Sequence, residues 1–215
     1  MAQIEYRLRE AISRAKGFLG EHVVDRRRGT DTSRIVDLAT AGVHTDGRIP
    51  YVPSGWRSLP GALRHIPVND DDVFLDLGCG KGRVVLQAAE RPFKRVIGVE
   101  LSPELIAVAQ ENLHAVRDKL RCQNVELIVA DITTWSIPDD VTILYAYNPV
   151  RGELFQAAMN AMIASYDRNP RSLYLLYRYP REHDALAASG RFHLLRTITS
   201  WRPRRSWTGA TAVNI

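Results

Sequence analysis

Three glycines at alternate positions, Gly78, Gly80 and Gly82, stand between an apolar run from Val73 to Leu77 and a second from Val84 to Ala89. Glycine reaches φ > 0 without steric cost and carries no Cβ, so a flat or anionic group can approach such a loop closely. A carboxylate, Glu100, ends the next apolar run, Arg95-Val-Ile-Gly-Val-Glu100. At the C-terminal end of a strand it is placed to accept hydrogen bonds from both hydroxyls of a ribose. The chemistry that this pattern serves is the holding of a nucleotide-shaped ligand.

The elements needed to position these residues are a strand, a loop and a helix, followed by a parallel neighbouring strand, and the sequence runs in that order. A dinucleotide site would place its third glycine where Arg83 stands, to bring helix and strand close beside a pyrophosphate. With Asp76 two residues ahead of Gly78, the G-x-G-x-G spacing instead resembles the first motif of class I S-adenosylmethionine-dependent methyltransferases. The resemblance implies that Asp76 lies near the cofactor's amino group, that the loop through Gly78, Cys79, Gly80 and Gly82 follows its methionine chain, and that Glu100 and Leu101 border its ribose.

Two further runs extend the resemblance. Val125 to Ala130 reads as a third strand that ends in Asp131-Ile132. In the family an acid there accepts from the adenine amino group, and the next apolar residue packs on the ring. Val141 to Tyr147 reads as a fourth strand opening into Asn148-Pro149-Val150. Amino-group methyltransferases often carry an Asn or Asp, a proline and an aromatic at this point, so the resemblance makes Asn148 and Pro149 the expected transfer residues and Asn148 also a cofactor neighbour. Val150 departs from the pattern and leaves a stacked planar base in doubt. Upstream, Tyr51-Val-Pro-Ser54 is similar to the Tyr-x-Pro-Ser/Thr segment of bacterial methyltransferases and related protein-lysine methyltransferases, where both polar residues reach over the cofactor's methionine end. Tyr51 and Ser54 are therefore expected cofactor contacts.

The fold that fits is α/β, a Rossmann-like seven-stranded mixed sheet with helices on both faces and an N-terminal helical cap. Apolar spacing at Ile4, Leu8, Ala11, Ile12, Ala15 and Leu19 predicts a helix over 3–20 that covers the domain or a second subunit of a homodimer. Residues 26–28 read as a basic turn and 31–47 as polar connection. Leu154, Ala157, Ala158, Ala161 and Met162 predict a helix face. Residues 172–177 read as a fifth strand, 182–188 as a short helix, and 192–201 with 208–213 as a closing pair of strands. The expected division is a cap over 1–56 and a cofactor-binding core over 57–215. Removing residues 1–47 should then leave a folded core that binds cofactor and has lost most transfer activity; if Ile4, Leu8, Ile12 and Leu19 instead pack against the core or a second subunit, the deletion should expose apolar surface and cause aggregation.

At 215 residues the chain suits one α/β domain, and 45% hydrophobic with 25% charged residues excludes a disordered polymer. No run is long enough to span a bilayer, and the first twenty residues lack the apolar core of a secretory signal, so a cytoplasmic protein without membrane partners is expected. Cys79 and Cys122 suggest neither a disulfide framework nor zinc, and the six scattered histidines give no metal motif and select no general base. The net charge of +5 gathers at Arg26 to Arg28 and around Arg202 to Arg205 with Trp201 and Trp207, which leaves nucleic acid open as a partner. Tyr145, Tyr147, Tyr177 and Tyr179 are candidate walls of an acceptor pocket. The expected function is S-adenosylmethionine-dependent N-methylation of an amine in a protein, peptide or small molecule. RNA methylation and a non-catalytic cofactor-binding role stand as alternatives.

Overall fold

The computed structural model describes residues 21–36, 47–48, 51–64, 66–198 and 210–214. Strands β1 (Val73–Leu77), β2 (Arg95–Glu100), β3 (Val125–Val129), β4 (Ile143–Ala146) and β5 (Tyr174–Arg178) run parallel, in the spatial order 3-2-1-4-5. Beyond β5, the strand β7 (Ala210–Asn214) pairs antiparallel with it, and β6 (His193–Ile198) pairs antiparallel with β7. Residues 199–209, with Trp201, Trp207 and the arginines between them, lie outside the described residues, as does the helix expected over 3–20.

β1 is buried along its whole length, as a central parallel strand must be. Its side chains alternate between two cores. Val73, Leu75 and Leu77 join Ile97, Leu144 and the helix α5 (Glu153–Arg168), whereas Phe74 joins α2 (Ser58–Leu63), α3 (Arg83–Ala89) and α4 (Pro103–Val116). Between β2 and β3, α4 was not anticipated from the sequence, although its signals are plain. Ser102 caps it by accepting from Leu105 N–H at 3.2 Å, and Pro103 occupies the first turn.

The buried face of α5 differs from the expected one. Phe155, Ala158, Met159, Met162 and Ser165 are buried, while Leu154, Ala157 and Ala161 are partly exposed. Phe155 stacks on Tyr177 at 5.5 Å, and this aromatic contact with Met159 outweighs the smaller alanines in setting the helix rotation.

The N-terminal segment departs further from expectation. Residues 21–28 are helical (α1), so Arg26 to Arg28 lie in a helix and the turn comes at Gly29, φ 73°. The described part of the supposed polar connection is docked rather than solvated: Thr32 and Ser33 are buried, and Val36 pairs with Tyr51 in an antiparallel bridge.

Candidate functional site

Parallel strands end on one side, and the C-terminal ends of β1 to β5 open into a cavity of about 230 Å³ at the β1/β4 switch point. Of the expected site residues, Tyr51, Ser54, Asp76, Gly78, Cys79, Glu100, Leu101, Asp131, Ile132, Asn148 and Pro149 line it, and Gly80 and Gly82 do not.

The loop after β1 is fixed by backbone bonds. Gly78 N–H and Cys79 N–H both donate to the Val99 carbonyl, at 2.9 and 3.0 Å. All three glycines have φ between 53° and 79°. The space that their missing Cβ atoms leave is taken by the protein, however, and not kept for a ligand. A Cβ at Gly78 would stand 2.8 Å from Pro149 Cβ, one at Gly80 would enter the Tyr51 ring, and one at Gly82 would stand 3.1 Å from Ala109 Cβ. The glycines serve loop shape and the approach of the Tyr51 ring, Pro149 and α4.

Glu100 joins the two halves of this loop region. Its Oε2 accepts from Gly80 N–H at 3.0 Å, and its Oε1 accepts from Leu101 N–H at 2.8 Å and Ser102 N–H at 3.1 Å. Burial raises its carboxyl pKa, and these backbone donors offset only part of the rise. Asp76 has no such compensation. It is 3% exposed, it lines the cavity, and no side chain or backbone among the described residues donates a hydrogen bond to its carboxylate. Burial first, and then the neighbouring Glu100 charge, push its pKa well above the usual carboxylate range. A buried carboxylate of this kind calls for a cation. The same causes, burial leading, raise the Cys79 thiol, so it stays protonated and acts as a small apolar wall.

Asp131 is already engaged. Its Oδ1 accepts from Thr133 N–H and Oγ1–H, and its Oδ2 takes the Arg48 guanidinium. Burial would raise its pKa, but these partners prevail and hold it low. Arg48 also bridges Val150 through its backbone, so one residue spans the site from the end of β3 to the loop after β4.

Asn148 takes φ 47°, a left-handed conformation that asparagine tolerates better than most residues. Its Oδ1 accepts from the Tyr177 hydroxyl at 3.0 Å, which fixes the carboxamide orientation. Burial pushes Tyr177 up to about 12, so the phenol remains a donor at neutral pH. Tyr145, Tyr147 and Tyr179 line the cavity, while Tyr177 lies beneath as the support of Asn148. Tyr179, φ 57°, is strained where a bulky side chain rarely sits, and its ring centroid lies 6.5 Å from that of Tyr147. Ser54 and Tyr51 are held by protein. Ser54 Oγ pairs with the Tyr145 hydroxyl at 2.8 Å, and the Tyr51 hydroxyl donates to the Thr32 carbonyl at 2.7 Å.

Arg83, read from sequence only as a missing glycine, is the hub of the region and is 2% exposed. It donates to Thr32 Oγ1 at 2.7 Å, Ser33 Oγ at 2.7 Å and the Ser54 carbonyl at 3.0 Å, and it pairs with Glu21 and Asp25. Beside it Lys81 pairs with Asp31 at 2.8 Å, and Asn112 of α4 holds the Lys81 and Asp31 carbonyls. An arginine opening a helix whose every other residue is apolar or amide was the available signal, since a guanidinium so buried demands partners.

Residues 74–167 match a family model described as a methyltransferase domain. Over 66 residues, 30% of this chain and 41% of the relative, the sequence is 38% identical to a protein-lysine N-methyltransferase of Saccharolobus islandicus. Over 99 residues, 46% of this chain and 36% of the relative, it is 31% identical to a trans-aconitate 2-methyltransferase of an Azoarcus species. The chain thus spans about two fifths of the length of these curated relatives. Its fold is similar to that of an RNA methyltransferase from Salinibacter ruber solved in complex with S-adenosyl-L-homocysteine. The TM-score is 0.51 at 20% identity, covering 76% of this chain and 91% of that one.

Proposed function

We propose that this chain, whose residues 74–167 match a methyltransferase-domain model, is a class I S-adenosylmethionine-dependent methyltransferase that methylates an amine in a protein, peptide or small molecule, with Asn148 and Pro149 at the transfer point. The observation that carries this reading is the Asn148 carboxamide, fixed by Tyr177 at the edge of a cavity that Asp76 also lines. The working architecture is a seven-stranded sheet with residues 1–56 as a cap over the core at 57–215. Arg48, Tyr51 and Ser54 in the cavity wall support that arrangement.

The chain's residues fit S-adenosylmethionine. The unpartnered Asp76 carboxylate suits its ammonium group, Glu100 retains one lone pair, on Oε2, for a ribose hydroxyl, and Leu101 and Ile132 offer apolar surface for its adenine. The bound cofactor supplies an activated methyl on a sulfonium. The protein's task is then to align the acceptor and exclude water. An amine must arrive neutral. Desolvation by Tyr145, Tyr147 and Pro149 disfavours the ammonium, and the second lone pair of Asn148 Oδ1 accepts one remaining N–H.

The test is methyl transfer from labelled cofactor into a lysate fractionated by size and nuclease treatment. Label on amines in protein or low-mass fractions supports the reading. Nuclease-sensitive label would replace it with RNA methylation, and cofactor binding without label in any fraction would mark a non-catalytic protein.

A further inference from the structure

The ionisable groups around the cavity are sorted by strand. Asp76 within β1, Glu100 at the end of β2 and Asp131 after β3 stand in one half of the sheet, where the cavity-lining Arg83 is already paired with Glu21 and Asp25. Arg151 follows β4 and Arg181 follows β5, in the other half, and both line the same cavity. On the acidic side the one cation close to Asp131, Arg48, is paired with it. On the other side, among the described residues, no carboxylate pairs with either arginine, and Arg151 makes no side-chain hydrogen bond or ion pair. Arg181 rests over the Tyr179 ring at 5.2 Å and has no ion pair. The carboxylate that follows Arg181, Glu182, accepts weakly from Gly152 N–H at 3.4 Å and forms no salt bridge among the described residues. Arg178 is different, since it donates to Ser58 and lies over Tyr147 outside the cavity wall.

Two guanidiniums without a carboxylate partner, lining the same cavity as Asn148, favour an anion. We infer that the acceptor carries a carboxylate or phosphate next to the atom it has methylated, and that Arg151, assisted by Arg181, reads that group. This rests on the proposed transfer site at Asn148 and deepens it: the acceptor is an anionic amine, not a free polycation. Tyr147 and Tyr179, which line the same cavity, offer apolar contact for the carbon between the two groups.

The experiment uses the full chain saturated with S-adenosylhomocysteine and titrates succinate and inorganic phosphate by calorimetry, in the wild type, R151Q, R181Q and R91Q. Arg91 is exposed and outside the cavity, so it serves as the control. Saturable binding of one or both anions, weakened about tenfold or more by R151Q, less by R181Q and not by R91Q, is expected from loss of a charge-assisted contact. Succinate alone binding assigns a carboxylate, and phosphate alone a phosphomonoester. In a companion assay with labelled cofactor, the methylated acceptor from lysate should be retained on an anion exchanger. R151Q should raise its KM with kcat near wild type, and R151K should recover part of the loss.

Normal cofactor binding with no anion binding in the wild type overturns the inference and leaves the transfer reading standing. R151Q that weakens S-adenosylhomocysteine while sparing the anions overturns it too, by assigning Arg151 to the cofactor. Absence of cofactor binding in the wild type is the separate result that removes the transfer reading itself.

Discussion

Tyr51 lies with its ring against the backbone of Gly80, so close that a Cβ on that glycine would stand 2.1 Å from ring Cδ2. The segment before α2 and the loop after β1 are therefore shaped to each other. Gly80→Ala should cost at least about 1–2 kcal/mol from the left-handed backbone alone, and more from expulsion of the ring. Thermal unfolding checks this, with Gly80→Ala/Tyr51→Ala as the control. The second change should then cost less than it does alone, a non-additivity expected only of residues in contact.

Asp76 sets stability against binding. Its raised pKa means that the folded state holds a proton that the unfolded chain releases near pH 4, so stability falls as pH rises from there through the folded value, and the penalty stays at neutral pH. Asp76→Asn should raise the melting temperature of the cofactor-free protein, by about 2–4 °C for each kcal/mol recovered. It should also weaken S-adenosylmethionine by roughly 1.5–3 kcal/mol through loss of the ammonium contact. An unchanged affinity would separate Asp76 from the cofactor.

Asp25 should show the opposite pH sign. Burial opposes its ionisation, but donors from Ser33 and Thr32 and the Arg83 charge prevail, so its pKa is lowered. The stability it contributes is complete above the ordinary carboxylate pKa and is lost as pH falls through the folded one. Asp25→Ala strips the buried Arg83 of a partner and should cost roughly 3–5 kcal/mol, measured by urea unfolding at pH 7. Removal of residues 1–47 takes Glu21, Asp25, Thr32 and Ser33 together. On this structure the truncated chain should melt far lower or aggregate, the second of the two outcomes that the sequence left open.

Asn148→Ala should leave cofactor affinity within about threefold while transfer falls by a factor on the order of 100, as for one lost transition-state partner. Tyr177→Phe removes only the hydroxyl that orients Asn148 Oδ1 and should cost a smaller factor, with the cofactor unaffected. Single-turnover rates beside calorimetry distinguish the two. Equal loss of rate and affinity in Asn148→Ala would make it a cofactor contact.

The parallel strands and the cavity wall were legible in the sequence because both depend on local signals: apolar runs, and glycines or acids at strand ends. The contacts that complete the site were not legible, since they join residues distant along the chain. Arg83 meets Glu21, Asp25, Thr32 and Ser33 across fifty or more positions, and Arg48 meets Asp131 across 83. Spacing carries no record of such pairs. The α5 face was misjudged for a related reason. Its rotation is set by the Phe155 contact with Tyr177 of another strand, and the helix's own periodicity admits two neighbouring solutions.

Arg48 holds Asp131 with its side chain and Val150 with its backbone, so one residue ties the end of β3 to the loop after β4. The consequence is kinetic. Two contacts made by one residue break together, and the spent cofactor should leave only after the methylated acceptor has released the Val150 side. Turnover is then expected to follow a compulsory order, first on and last off for the cofactor, with S-adenosylhomocysteine competitive against S-adenosylmethionine and noncompetitive against the acceptor. Arg48→Ala should relax that order towards random exchange.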